Sequence, residues 1–342
     1  MKRGKKTILV LYSILLAAFS VYFLLDTFVL ERVYSAEAPA QSAQSSGNSA
    51  GDDTVSRTEP QGTDAEEDAG DDYVSDIQGS EDQSGTQNAQ QTAAENTAPV
   101  ITENSYSDGN ISITITEYRE NGTDIYVADI RLSSADYLKT ALAKGVYGRN
   151  VTAKTSATAA ANGAILAING DYYGSQERGY VIRGGVIYRD TAVARRQDLV
   201  IYEDGSMEVI YETDISAEEL LAKGAHDVLS FGPQLLEDGK ITVNSGYEVA
   251  KAMRSNPRTA IGMIDELHYV FVVSDGRTTQ SAGLSVYELA DFMRSLGVKT
   301  AYNLDGGGSS TMYFNGEVIN DPVGGGRGQS ERSVSDIVYI GY

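Results

Sequence analysis

Cysteine and tryptophan are absent from this chain of 342 residues, histidine occurs twice and proline six times. Without cysteine there are no disulfides, no thiolate metal ligands and no cysteine nucleophile, so an exported domain must stand on its own core. His226 and His268 are too few for a three-histidine zinc centre. A bound metal would more naturally be a hard, oxygen-liganded ion such as calcium or magnesium. Positive charge is also scarce, with 27 Lys and Arg against 48 Asp and Glu and a formal charge of −21. Nucleic acid requires a basic face, so it is not an expected partner. Serine–histidine hydrolysis lacks its parts: there is no G-x-S-x-G elbow, and His268 lies inside an apolar strand pattern, LHYVFVV.

Long apolar runs are missing with one exception. Met1–Lys6 (MKRGKK) carries four basic residues, and Thr7–Leu25 (TILVLYSILLAAFSVYFLL) is uncharged and almost wholly apolar. That run spans roughly 28 Å as a helix, close to the bilayer core. The basic tip would keep the N-terminus cytoplasmic. Residues 1–30 are therefore expected to form a transmembrane anchor of a cell-membrane protein whose remainder is extracytoplasmic. The A-x-A-like SAEA at Ser35–Ala38 offers the alternative of a cleaved, secreted form. Residues 31–99 are rich in Ser, Gln, Ala, Gly, Asp and Glu and poor in large apolar side chains. They read as a disordered acidic linker that holds the folded part away from the membrane.

Residues 100–342 change character. Ile111–Tyr118 and Ile125–Leu132 flank ENGTD as a hairpin, and further hairpins are centred on Gly184-Gly185, Asp204-Gly205 and Asp265-Glu266. Capping boxes at Ser216–Glu219 and Ser285–Glu288 open two helices that stop at Gly224 and Gly297. In the second, Val286, Leu289, Phe292, Met293 and Leu296 share one face. A third helix is expected over Val151–Ala161. The expected fold is α/β (α+β): one domain with a large mixed, mostly hairpin-built sheet and a few packed helices, after a membrane helix and linker.

The stretch Asn303–Gly316 (NLDGGGSSTMYFNG) carries a carboxylate, three consecutive glycines and two serines between strand-like runs. Asp-Gly alone is this chain's habitual turn, at Asp108, Asp204, Asp238 and Asp275. Three glycines exceed what a turn needs, and such a run can converge its N–H groups into an anion-binding nest. No Lys follows and a strand comes next, so this is neither a Walker motif nor a dinucleotide fingerprint. Polar residues gather at other strand ends as well: Asn169 and Asp171, Arg258 and Thr259 of NPRT, and a second glycine triplet, Gly324–Gly326, ahead of Glu331 and Arg332. Such clustering at strand ends is what a shared pocket needs.

In order along the chain stand NGDYYG, VIRGGVIYR, FGPQLLEDGK, NPRTAIG, VVSDGR, GLSVYELADFM, YNLDGGGSSTM and ERSVSDI. Together they closely resemble the phosphodiester glycosidase family, the group of the enzyme that uncovers mannose-6-phosphate, over Gly163–Tyr342. The resemblance implies hydrolysis of a sugar joined through its anomeric oxygen to a phosphodiester, with no required cofactor. An oxocarbenium-like transition state is commonly served by paired carboxylates, and a departing phosphate ester by Arg forks and fixed N–H groups. Asp305 is expected to face the anomeric centre as nucleophile, base or electrostatic partner, with Glu331 or Asp275 as the second carboxylate. Arg258, Arg332 and Gly306, Gly307 and Gly308 are expected at the phosphate, with Ser309, Thr259, Asn303 and Arg277 beside them. Asn169 and Asp171 would hold sugar hydroxyls, or Asp171 a structural calcium. The expected partner is a carbohydrate phosphodiester on a cell-surface or exopolysaccharide glycan. The alternative is a surface module that binds phosphorylated glycans without turnover.

Overall fold

A computed structural model describes residues 2–34, 98–247, 255–324 and 330–342. Most of the expected linker, and Gly325 and Gly326 of the second glycine triplet, lie outside them. The helix α1 runs from Lys2 to Phe28, and its described side chains from Tyr12 to Leu25 are exposed. Among the described residues no helix is long and apolar enough to cross a membrane.

The remainder is mostly β-sheet. A nine-stranded sheet runs in the order Lys240–Ile241, Gln234–Glu237, Thr300–Asn303, Arg258–Asp265, His268–Ser274, Thr123–Leu132, Ile111–Glu120, Ser105–Ser107, Val100–Ile101. A five-stranded sheet joins Val186–Arg189, Val181–Arg183, Ala225–Leu229, Gln197–Tyr202 and Met207–Tyr211. A second five-stranded sheet joins Glu317–Val318, Met312–Phe314, Leu166–Asn169, Asp336–Ile340 and Leu138–Leu142. One large mixed sheet was the expectation; instead there are three large sheets and a separate two-stranded ladder of Arg32–Val33 with Gly148–Arg149, and every ladder between the described strands is antiparallel. Hairpins do this directly, because a tight turn can only return the chain antiparallel. Asn121 and Gly122, with φ of 51° and 69°, make the mirror-image turn that matches strand twist between Ile111–Glu120 and Thr123–Leu132.

All three sheets pack their inner faces on one core. Ile113, Ile130 and Phe271 come from the large sheet, Leu199 and Leu229 from the second, and Leu166, Ile168 and Val338 from the third. Each outer face then takes one helix. α2 (Thr155–Ala161) covers the third sheet through Ala159, α3 (Ala217–Ala222) the second through Ala217 and Leu220, and α4 (Val286–Ser295) the large one through Leu289, Phe292 and Met293. Strand His268–Ser274 is consequently buried on both sides: Tyr269, Phe271 and Val273 face the central core, while Val270 and Val272 face α4. Both capping boxes form as the sequence expects. The third helix starts at Thr155 rather than Val151, because Ala153 is held extended in a bridge to Val334.

Candidate functional site

Where the large and third sheets end side by side, Asn169 closes one strand and Asn303 another. Asn169 is wholly buried and works as a tie: its Nδ2 donates to the Asp305 carbonyl at 2.6 Å, and its Oδ1 accepts from Thr259 Oγ1 at 2.8 Å. Asn303 Nδ2 donates to the Gly232 carbonyl at 2.7 Å. Asn169, Thr259 and Asn303, expected to meet ligand, instead lie behind the site and hold its backbone. Buried amides and hydroxyls keep their positions when hydrogen bonds hold them, and here backbone carbonyls and the Asn169–Thr259 pair supply those bonds.

In front of this frame lies a cavity of about 550 Å³. Seven of the expected residues line it: Asp171, Arg258, Arg277, Asp305, Gly306, Gly307 and Arg332. Asp305 Oδ2 accepts from Ser309 Oγ at 2.6 Å and from Arg332 Nη2 at 2.9 Å. Arg332 Nε also donates to Ser309 Oγ at 2.9 Å. Burial pushes the Asp305 carboxyl above the ordinary carboxylate value, and the Arg332 charge and Ser309 hydroxyl oppose that rise. On another wall, Arg258 Nε donates to the Leu284 carbonyl at 2.8 Å. Burial, reinforced by the neighbouring Arg277 charge, pushes Arg258 down to about 10. Arg277 Nε and Nη2 both reach Asn256 Oδ1, at 2.9 and 2.7 Å. Two guanidinium groups near enough to perturb each other make an electropositive wall suited to an anion.

Within the glycine triplet, the Gly307 N–H is turned away from the cavity's anion wall by a backbone bond of its own. The Gly307 N–H donates to the Pro257 carbonyl, the Ser309 N–H to Gly306 and the Ser310 N–H to Gly307. What the triplet allows is close approach. A Cβ on Gly306 would meet Pro257 O at 2.9 Å, and one on Gly308 would meet Gly324 Cα at 2.8 Å. Gly324 in turn has no room for a Cβ, which would fall 2.0 Å from the Arg332 nitrogen. The two glycine-rich segments thus lie backbone against backbone, and their contact carries Arg332 to Asp305. Gly307 adopts φ +65°, and its bare Cα lets the Arg277 guanidinium lie against the chain.

Both carboxylates expected to pair with Asp305 are elsewhere. Glu331 Oε1 accepts from the Ser156 N–H at 2.9 Å, and its other oxygen from the Ser156 hydroxyl. It satisfies an N-terminal donor of α2, whose own cap residue Lys154 supplies no side-chain bond. Arg332 lines the cavity, while the carboxylate of its neighbour Glu331 is held at the start of α2. Asp275 is buried and accepts from Asn320 Nδ2 at 3.1 Å and the Asp321 N–H at 2.9 Å.

The second carboxylate of the cavity is Asp171. Its Oδ1 accepts from the Tyr173 N–H at 2.8 Å, and its Oδ2 from the Ser230 N–H at 2.9 Å and Arg183 Nη2 at 3.0 Å. The cation beside it is therefore Arg183, which also pairs with Asp336 behind the wall. Among the described residues no three Asp, Glu or His side chains are grouped to hold a metal ion. Sequence reasoning passed over Tyr172 and Phe231, whose rings meet edge to face at 5.0 Å on the cavity wall. Both stand in motifs already singled out, NGDYYG and FGPQLLEDGK, where an aromatic next to glycine and polar turn residues was the available signal.

Residues 162–341 match the family model described as phosphodiester glycosidase. Over 184 residues the chain is 32% identical to the SPbeta prophage-derived uncharacterized protein YomE of Bacillus subtilis, a match covering 52% of this chain and 28% of that one. Over 182 residues it is 29% identical to N-acetylglucosamine-1-phosphodiester alpha-N-acetylglucosaminidase of Mus musculus, covering 48% and 34%. The chain thus spans about a third of the length of these curated relatives. The catalytic domain of the zebrafish N-acetylglucosamine-1-phosphodiester alpha-N-acetylglucosaminidase, in a structure auto-inhibited by its pro-peptide, has the same fold. It superposes with a TM-score of 0.55 at 21% identity, over 68% of this chain and 83% of that one.

Proposed function

Because the chain belongs to the phosphodiester glycosidase family, we propose that it is a hydrolase cleaving the glycosidic bond of sugar-1-phosphodiesters. The observation that carries the reading is the lining of one cavity by two carboxylates, Asp171 and Asp305, and three arginines, Arg258, Arg277 and Arg332. Two carboxylates suit an oxocarbenium-like transition state, and guanidinium forks suit the departing anion.

In the proposed reaction the phosphodiester lies on the Arg258–Arg277 wall, and the sugar ring rests against Tyr172 and Phe231. As the C1–O bond breaks, its electron pair passes to the phosphate oxygen, where the arginine charges stabilise it. Water adds to C1 and gives its proton to Asp305, whose Oδ2 is already positioned by Ser309 and Arg332. Asp171, held by Arg183 and two N–H donors, contributes fixed negative charge toward the developing positive sugar. The products are a free sugar and a phosphate monoester. A phosphate leaving group is a weak base, so no strong acid is required beside it.

The basic tip and the uncharged run Thr7–Leu25 support anchoring in a membrane with the catalytic domain outside. On that reading the substrates are glycosyl phosphodiesters of cell-surface or exopolysaccharide glycans. Incubating the full chain with a sugar phosphodiester and following release of free sugar tests the reaction. Tight binding with no release would instead make this a surface module for phosphorylated glycans.

A further inference from the structure

The residues that follow α1 lie against the wall of the cavity. Arg32–Val33 forms an antiparallel ladder with Gly148–Arg149, pairing Arg32 with Arg149 and Val33 with Gly148. The ladder gains one further bond, from the Tyr34 N–H to the Tyr147 carbonyl at 2.9 Å. The Tyr34 and Tyr147 rings are 5.9 Å apart, and Glu31 pairs with Lys144. Asn150 Nδ2 donates to the carbonyls of Thr27 at 3.2 Å and Leu30 at 3.1 Å, near the end of α1, where carbonyls lack helical partners.

Gly148 marks the contact from the other side. A Cβ at that position would lie 2.1 Å from the Arg32 carbonyl oxygen, so only glycine admits the strand so closely. We infer that Glu31–Tyr34 is an edge strand of the catalytic domain that buttresses the cavity wall, and that residues 35–97 join two parts of one body. The link to the cavity is short. Asn150 lines it and also donates its N–H to the Gly174 carbonyl at 3.0 Å, and Gly174 lines it as well. The segment is seated by the same strand addition that binds extended peptides to open edges. Its occupant is this chain's own N-terminal segment, held in place by a ladder, two carbonyl caps and an ion pair.

The absence of cysteine makes the inference directly testable. In the full chain carrying Tyr34→Cys and Tyr147→Cys, the introduced thiols are the only ones present. After mild oxidation and proteolytic cleavage within residues 35–97, the two pieces should stay joined on a non-reducing gel and separate on reduction. Pieces that separate without reduction, in a chain whose circular dichroism matches the parent, overturn the docking. The buttressing is read separately by hydrogen exchange in Tyr34→Pro, which removes the donor to Tyr147. The Asn150 amide should exchange faster by on the order of tenfold, the loss expected of one or two hydrogen bonds. An unchanged Asn150 amide would overturn the support of the wall. Neither measurement needs a substrate, so a failed glycosidase assay leaves both decisive.

Discussion

Asp305 and Arg332 are brought together at 2.9 Å across the mouth of the cavity, with the Ser309 hydroxyl bonded to both. Arg332 is half exposed, whereas only 15% of the Asp305 side chain is accessible. The pair therefore straddles the boundary between water and the interior, and Asp305 is the member whose charge depends on the other. Burial raises the Asp305 carboxyl above its ordinary value, and the rim guanidinium opposes that rise.

Asp305→Asn should keep the fold and lose the reaction. The amide preserves shape and can still meet Ser309, so circular dichroism and the denaturant midpoint should stay close to the parent. Release of free sugar from a sugar phosphodiester should fall by roughly a thousandfold or more, as for loss of an essential catalytic group. Turnover within a few fold of wild type would remove Asp305 from the chemistry.

Arg332→Gln tests the electrostatic half of the pair. Arg332 lowers the Asp305 carboxyl against the rise caused by burial, so its loss lets that value climb further. The ionised form is the one proposed to accept water's proton. Activity should therefore be lost at higher pH in the variant than in the parent as acid is added. An acid limb that stays in place, or moves down, would show that Arg332 does not act through Asp305.

Arg258→Lys and Arg277→Lys separate the two members of the anion wall. A lysine keeps a charge but not the planar fork. Each change should raise KM for a sugar phosphodiester by roughly tenfold, in line with one charge-assisted hydrogen bond. Inhibition by inorganic phosphate should weaken in parallel. An unchanged KM together with unchanged phosphate inhibition at both positions would place the anion elsewhere.

The hairpins, capping boxes and convergence of Arg258, Asp305 and Arg332 could be read from local patterns, because turn chemistry and strand ends are local. Partnership across the fold could not. Glu331 is an acid beside a site arginine in sequence, but its carboxylate is taken by the first turn of α2. Asp171 was legible as a cavity residue, but not its pairing with Arg183, twelve residues on and from another sheet. The glycine triplet was legible as unusual, yet its cause is Gly324 across the gap, and no spacing rule predicts which backbone a bare Cα will touch. Division into three sheets also escaped the pattern, since a strand such as His268–Ser274, buried on both faces, gives a nearly continuous apolar run whichever layers cover it.

Glu331→Gln provides the complementary control. Its carboxylate sits on the N-terminal turn of α2, where negative charge is favourable by about 0.3–1 kcal/mol. The urea midpoint should fall slightly, while kcat and KM stay at parental values. A loss of kcat comparable to that of Asp305→Asn would return Glu331 to the active site.

The buried Asp171–Arg183–Asp336 cluster makes a prediction about stability. Two carboxylates share one guanidinium there, and Asp336 Oδ1 finds no hydrogen-bond partner among the described residues. Burial, with the Asp171 charge adding to it, raises the Asp336 carboxyl well above its ordinary value despite Arg183. The folded chain therefore binds this proton more tightly than the unfolded chain does. The resulting contribution is fully present below the ordinary carboxylate value and is lost as pH rises through the higher folded one. Denaturant stability should decline between mildly acidic and neutral pH, and Asp336→Asn should flatten that decline by leaving Arg183 opposite a single charge. Arg183→Met should behave oppositely, destabilising by about 3–5 kcal/mol at neutral pH, because both carboxylates would remain buried without their cation. A parental pH slope in Asp336→Asn would mean that this carboxyl titrates alike in the folded and unfolded chain.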